Sequence, residues 1–406
     1  MNKKYVVIGS SSAGIAAVST LRELDHESHI SVFSSEKEWP YNKCFLPDYI
    51  AGDKQREQLF IRDRIFFERQ RIEAHFGVCV TTLDATQQII GVEDGRQFDY
   101  DYLLIATGAR AVRPSIKNST VHGVFFFYQL SDIDLINLYR EENGVKNVVV
   151  IGAGLTGIEC ADAFQIQGMN VTIVDAHAHL LAKHINYNAA QIIEHRAQEV
   201  GINFVFDAKV EEIIVADNKV CGVRCSNQQE IKTDMIIIAA GELPNCEIAA
   251  QAGLRVAHNG IVTNAYLQTS VTTIFAAGDV ALVNDLKSGE LVRSFKWSDA
   301  ANQGTIAAHN MVGNQRIYPG IVRVSGSYFF GARFFVAGNK DLLGEQIIFH
   351  DEKTKKYAAV TMHNEKIVAA MLYGHESAVS FVRRAFTQNL QVTENLITEW
   401  LIGSID

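Results

Sequence analysis

One pattern occurs twice in this chain and constrains the fold more than anything else in it. The apolar strand Tyr5–Ile8 runs into Gly9-Ser10-Ser11-Ser12-Ala13-Gly14, then a helix-like stretch to Leu24 and a second strand, Ile30–Phe33. The strand Asn147–Ile151 runs in the same way into Gly152-Ala153-Gly154-Leu155-Thr156-Gly157, a helix-like stretch to Gln167 and the strand Val171–Val174. Strand, glycine turn, helix and strand make a βαβ unit. The turn lets backbone approach a pyrophosphate, and the helix end behind it supplies N–H groups and positive potential. One such match is weak evidence. Two in these contexts predict an α/β chain with two Rossmann-like dinucleotide-binding domains.

The 406 residues leave room for two or three domains. With 48% hydrophobic and 20% charged residues, the chain is neither disordered nor low-complexity. Its net charge of −9 argues against a nucleic-acid partner. No apolar run reaches the roughly 18 residues of a membrane helix, so no membrane partner is expected. The start, Met1-Asn2-Lys3-Lys4 before Tyr5, has no signal-peptide character. Six cysteines are too few for a disulfide scaffold, so a cytoplasmic protein with reduced thiols is expected.

Each glycine core is followed by a strand that ends in small residues: Leu103-Leu104-Ile105-Ala106-Thr107-Gly108, then Met235-Ile236-Ile237-Ile238-Ala239-Ala240-Gly241. A third such turn is Ile274-Phe275-Ala276-Ala277-Gly278-Asp279, with a helix expected from Trp297 to Met311. Residues 321–375 alternate like strands, with polar breaks at Gly338-Asn339-Lys340 and His363-Asn364-Glu365-Lys366. Helices are expected over 377–389 and 393–402, the second capped by Thr393. The C-terminal part is therefore an α+β domain.

In the second loop all three glycines are present, and Asp175 follows the strand that ends at Val174. An acid there favours the ribose hydroxyls of NADH over a 2′-phosphate. His177, His179 and Lys183 follow closely and keep NADPH open. In the first loop Ser11 stands at the middle glycine position, and the first carboxylate after the strand is Glu36. Glu36 is assigned to a ribose; the bland reading is a solvated loop acid. Two dinucleotide sites in one chain suggest FAD, held tightly, with a diffusible nicotinamide nucleotide.

These motifs resemble the FAD-dependent pyridine nucleotide–disulfide oxidoreductase superfamily over about residues 1–320. The markers are Gly9–Gly14, Ala106-Thr107-Gly108, Gly152–Glu159, Ala240-Gly241 with Pro244-Asn245, and Phe275–Asp279. The resemblance implies that Gly278 and Asp279 hold the flavin side chain and that the helix start at Trp297 faces the flavin. It implies cofactor contacts at Lys43 and Val80, and Glu159 near the nicotinamide. The layout it implies is an FAD domain over 1–112 and 247–320, an NAD(P)H domain over 113–246, and a C-terminal domain over 321–406 that closes the flavin pocket and forms a homodimer interface. No metal is expected.

The segment Trp39-Pro40-Tyr41-Asn42-Lys43-Cys44-Phe45-Leu46-Pro47-Asp48-Tyr49-Ile50 is similar to the single-cysteine coenzyme A-disulfide reductase and NADH oxidase branch, through Cys44, Pro47 and Ile50. Its Pro-Tyr-Asn-Lys lead-in also resembles the rubredoxin reductase and nitrite reductase flavoproteins. Tyr49 occupies the place of the second cysteine of a dithiol pair, so Cys44 would act alone. The expected reaction takes hydride from NADH to FAD and then reduces a small disulfide or persulfide through Cys44, whose pKa Lys43 would lower. The alternatives are an electron transferase serving rubredoxin, ferredoxin or a nitrite reductase-type partner with Cys44 an inert filler, an NADH oxidase, and a flavin-bearing sensor. Ser12 stands where peroxidase relatives place a histidine, which argues against that chemistry.

Cys160 is expected in the core, Cys79 in a short strand, Cys221 and Cys225 on one strand face, and Cys246 in a loop. Arg62, Arg64, Arg69 and Arg71 could hold coenzyme A phosphates or dock an acidic carrier. A solvated face paired with Asp63, Glu68 and Glu73 is the favoured reading.

Overall fold

The computed structural model describes residues 2–257, 260–340 and 343–403. The described residues divide into two compact units: those within 2–46, 54–110 and 242–321 form the first, and those within 47–53, 111–241 and 322–403 the second.

The first unit is built on a parallel five-stranded sheet in the order Ile274–Ala276, Tyr102–Ile105, Lys4–Ile8, His29–Ser34, Ile72–Phe76. Val6, Val7, Val32, Leu103, Leu104 and Phe275 are all buried. Near-continuous apolar runs of this kind belong to parallel sheets covered on both faces. The Ser12–Leu24 helix packs on the Trp297–Met311 helix, whose start and end fall where the sequence puts them. Contact is close because Gly304 has no side chain: a Cβ there would lie 2.0 Å from the Ala13 carbonyl oxygen.

The second unit repeats the plan. Its parallel sheet runs Ile202–Val205, Asn170–Val174, Asn147–Ile151, Met235–Ile238, Val124–Phe126. In both sheets the strand before the glycine turn is central, with its βαβ partner on one side and the later strand on the other. That reversal is the switch point at which open α/β sheets bind ligands. Each unit also carries a three-stranded antiparallel sheet before that later strand, over Val80–Asp99 in the first and Val210–Lys232 in the second.

The second unit also contains an antiparallel sheet ordered Val324–Phe329, Ala332–Gly338, Lys366–Tyr373, Lys356–His363, Glu345–Asp351. The break at 363–366 is a tight hairpin with Asn364 and Glu365 at positive φ, and the strand before the other break ends at Gly338. The helices Glu376–Gln388 and Glu394–Ile402 pack their apolar faces on this sheet. Thr393 caps the second as expected, its hydroxyl accepting from the Leu396 N–H.

Two expectations for cysteines fail. Cys221 is exposed while Cys225 is buried. The ladder pairs Ile214 with Gly222 and Val215 with Val220, so Cys221 is the extra residue of a β-bulge, which breaks the alternation that would have put both on one face. Cys79 lies outside the strands, between Ile72–Phe76 and Val80–Asp84. Cys160 is fully buried, and Cys246 sits at the start of the short Glu247–Gln251 helix. In the arginine segment Arg64 pairs with Glu68 at 2.5 Å, while Asp63 caps the Arg64–Arg69 helix. Arg71 turns to Glu27, and Glu73 pairs with His29 and His75 instead.

Candidate functional site

The two glycine loops share one atomic construction. Gly9 has φ +114°, and a Cβ on it would lie 2.0 Å from the Ala106 carbonyl oxygen; Gly152 has φ +117°, with the Ala239 oxygen at 2.3 Å. Each opening glycine is thus jammed under the small-residue turn that ends the neighbouring strand. The closing glycines repeat this: a Cβ on Gly14 would meet the Gly9 oxygen at 1.8 Å, and one on Gly157 the Gly152 oxygen at 2.0 Å. The middle positions differ. Ser11 has φ −84° and Gly154 φ −76°, both open to any residue, and a Cβ on Gly154 would meet nothing within 4 Å. Neither backbone conformation nor packing demands a glycine there, which explains how the first loop carries a serine.

Around the first loop, Ser12 is buried and its hydroxyl donates to the Trp297 carbonyl at 2.7 Å, tying together the starts of two helices. The Thr107 hydroxyl donates to the Asn245 carbonyl at 2.7 Å, and the Asn245 amide returns a bond to the Thr107 carbonyl at 2.9 Å. Two motifs about 140 residues apart in sequence are thereby clamped together. Gly278 has φ +79°, and its N–H is taken by the fully buried Gln303 side chain at 2.8 Å.

Asp279 follows directly. Burial is the main cause that pushes its carboxyl up to about 7, and Glu242 adds to it, against the opposing pull of Arg293 and Lys43. Glu242 is itself raised by burial and pairs with Arg293 at 3.4 Å. Asp279 has no hydrogen-bond partner among the described residues. A largely buried acceptor without a donor fits hydroxyl groups of a bound ligand.

Glu36 is held by two donors within the protein. It accepts from the Tyr41 hydroxyl at 2.5 Å and from the Lys43 ammonium at 2.8 Å. Lys43 is therefore directed at Glu36. Cys44 is exposed in the Lys43–Phe45 turn, whose cap Asn42 accepts the Cys44 N–H at 3.0 Å. Val80 is buried in the core of the first unit, at the start of a strand.

In the second unit Gly154 caps the Leu155–Ile166 helix, which begins with Leu155 and Thr156. Asp175 accepts from the Ala153 N–H at 2.6 Å and from the His177 N–H at 2.8 Å, so it braces the loop from beneath. Gly241 is exposed with φ +107°. On the Leu155–Ile166 helix, Glu159 is held above the usual carboxylate range by burial and accepts from the Ser327 hydroxyl. One turn on, burial pushes Asp162 up to about 6, although it accepts from the Phe330 N–H.

Gln303, Glu242, Arg293, Ser327 and Asp162 have no motif of their own. Each partner lies far off in sequence, as with Glu159 and Ser327, so only the folded chain brings them together.

The family model for the pyridine nucleotide-disulphide oxidoreductases matches residues 3–304. The chain belongs to this family. Its members are FAD-dependent NAD(P)H oxidoreductases, the class of enzyme the two glycine loops indicate. The chain is 32% identical over 323 residues to an NADH oxidase of Methanocaldococcus jannaschii, covering 78% of this chain and 72% of that protein. It is 30% identical over 344 residues to an NAD(P)H coenzyme A polysulfide/persulfide reductase of Pyrococcus horikoshii, covering 81% and 74%. In fold it is similar to a ferredoxin reductase from Rhodopseudomonas palustris, with a TM-score of 0.90, 24% identity and coverage of 100% and 98%. Among the described residues no helix is long and apolar enough to cross a membrane, and no cluster of His, Cys, Asp or Glu could hold a metal.

Proposed function

We propose that this chain is an NADH-dependent reductase of a small disulfide or persulfide, with Cys44 as its redox-active thiol. The observation that carries this reading is the position of Cys44. It is exposed at the start of a helical segment and belongs to the same compact unit as the Gly9–Gly14 loop and the partnerless Asp279 carboxyl. The Pyrococcus horikoshii relative, a coenzyme A polysulfide/persulfide reductase, supports the acceptor class.

In this reading Gly9, Ser11, Ser12, Ala13, Gly14, Glu36, the Ala106–Gly108 turn, Gly278, Asp279 and Trp297 hold FAD. The residues fit it: the loop is free of side chains where backbone must come close, and Asp279 awaits hydroxyl donors. Gly152, Gly154, Leu155, Thr156, Gly157, Asp175 and Gly241 hold the nicotinamide nucleotide. FAD, when bound, would supply two-electron chemistry between NADH and the acceptor sulfur. The chain's own residues do the rest. The Cys44 thiolate attacks one sulfur of the acceptor, forming a mixed disulfide and expelling the other sulfur as a thiol or hydrosulfide. Two electrons originating from NADH then split the mixed disulfide, regenerating the Cys44 thiolate and releasing the second sulfur as a thiol or hydrosulfide. Glu159, neutral more readily than an ordinary carboxyl, limits the negative charge close to the incoming nucleotide. A homodimer and a cytoplasmic setting complete the reading; the first rests on the resemblance to the coenzyme A-disulfide branch, the second on the need for NADH and a reduced thiol.

Replacing Cys44 tests it. Cys44→Ser should lower turnover of coenzyme A disulfide or a persulfide at least about 100-fold, as expected when a nucleophile is removed, while NADH still bleaches the flavin at the wild-type rate. Undiminished turnover in that variant would move the chain to the electron transferases that serve a small carrier protein.

A further inference from the structure

At one end of the C-terminal sheet three segments turn back on themselves. They are the Phe330–Gly331 hairpin, the loop at 352–355, and Gly374-His375 leading into the Glu376–Gln388 helix. Beside them lies Arg196, from the last turn of the Tyr187–Glu199 helix, with its Nε donating to the Phe330 carbonyl at 3.1 Å. Together they line an open cleft of about 450 Å³, wholly within the second unit. The lining carries four cations, Arg196, Arg333, Lys355 and Lys356, against one carboxylate, Glu376. Glu199, which is not itself part of the lining, pairs with Lys355 at 3.2 Å and with Arg196 at 3.5 Å. Arg333 and Lys356 have no carboxylate in pairing range among the described residues.

In a chain of net charge −9, acids outnumber bases, and surface cations ordinarily find partners among them. Glu199 offsets part of the charge of Arg196 and Lys355, while Arg333 and Lys356 add two further cations to the same concavity, where like charges repel unless an anion joins them. The Glu376–Gln388 helix adds to the same field, since Glu376 and Ser377 of its first turn line the cleft and no side chain caps it. The volume lies in the range of small-molecule pockets, about 300–1,000 Å³. None of the glycine-loop residues, nor Asp175, lines it.

We propose that this cleft binds a small ligand carrying two or more phosphate groups, held by Arg196, Arg333, Lys355 and Lys356. Two arginine forks suit phosphate oxygens bidentately, and the lysines supply the remaining charge. The concave shape selects a small polyanion over the flat face of an acidic protein. The site is separate from both glycine loops and does not depend on which acceptor Cys44 serves.

The test is calorimetric titration of the FAD-loaded protein with inorganic pyrophosphate, in saturating NAD⁺ so that the Gly152–Gly157 loop is filled. The wild type should bind one pyrophosphate per chain, more weakly as salt is raised. Arg333→Gln/Lys356→Gln should bind about ten-fold more weakly or worse, since charge-assisted contacts are lost, with NADH-driven flavin bleaching unchanged. Neither replaced residue has an ion-pair partner among the described residues, and the single reversal Lys356→Glu serves as a second variant with the same expectation. No binding by the wild type, equal binding by both variants, or equally tight binding of citrate would each overturn the proposal.

Discussion

At the scale of single residues, Asp279 is the group whose surroundings say most. It is a largely buried carboxyl with no donor among the described residues, raised from an ordinary 3.8 to about 7. A carboxyl raised on folding contributes stability that is full below its unfolded pKa and is lost as pH climbs through the folded value. The FAD-free protein should therefore lose stability from about pH 4 to pH 7 through this residue. Asp279→Asn removes that dependence. The FAD-free variant should match the wild type near pH 4 and exceed it at pH 8 by up to about 4 kcal/mol, the ceiling set by 1.36 kcal/mol per unit. Denaturant unfolding at the two pH values checks this, and a variant less stable than wild type at pH 8 would contradict it. Glu36 shows how near neighbours position a candidate residue. The sequence presents it as the first acid after a strand, and Tyr41 and Lys43, five and seven residues on, curl back and each donate to one of its oxygens.

At the scale of elements, the glycine loops separate packing from binding. Gly157→Ala would put a Cβ 2.0 Å from the Gly152 oxygen, whereas the same change at Gly154 meets nothing. Gly157→Ala should lower the melting temperature by several degrees or prevent folding. Gly154→Ala should leave the melting temperature unchanged and raise the KM for NADH several-fold, because the added methyl occupies ligand space. A Gly154→Ala protein with an unchanged KM would remove the loop from the nucleotide site. Elements of this kind are the legible part of the chain: a strand, its glycine turn and its helix are contiguous, so their chemistry is written in order. The same holds for the Thr393 cap and the Trp297–Met311 helix. What stayed hidden is non-local or irregular. Gln303 reaches the Gly278 N–H across a helix-strand junction, and Ser327 meets Glu159 from another sheet. A single inserted residue turns Cys221 away from the face of Cys225.

At the scale of the whole molecule, a duplicated α/β plan carries two nucleotide cores, and the second unit adds an antiparallel sheet with a basic cleft of its own. The first glycine core shares its unit with Asp279 and the exposed Cys44, and the second shares its unit with Glu159 and Asp162. We propose Cys44 as a second two-electron centre in addition to FAD. The decisive measurement is anaerobic titration with NADH after oxidation of the protein with coenzyme A disulfide. The expected result is uptake of about two NADH per FAD, one for the flavin and one for the mixed disulfide at Cys44, with a long-wavelength thiolate–flavin band appearing between the two steps. Uptake of one NADH per FAD, with no such band, would contradict it.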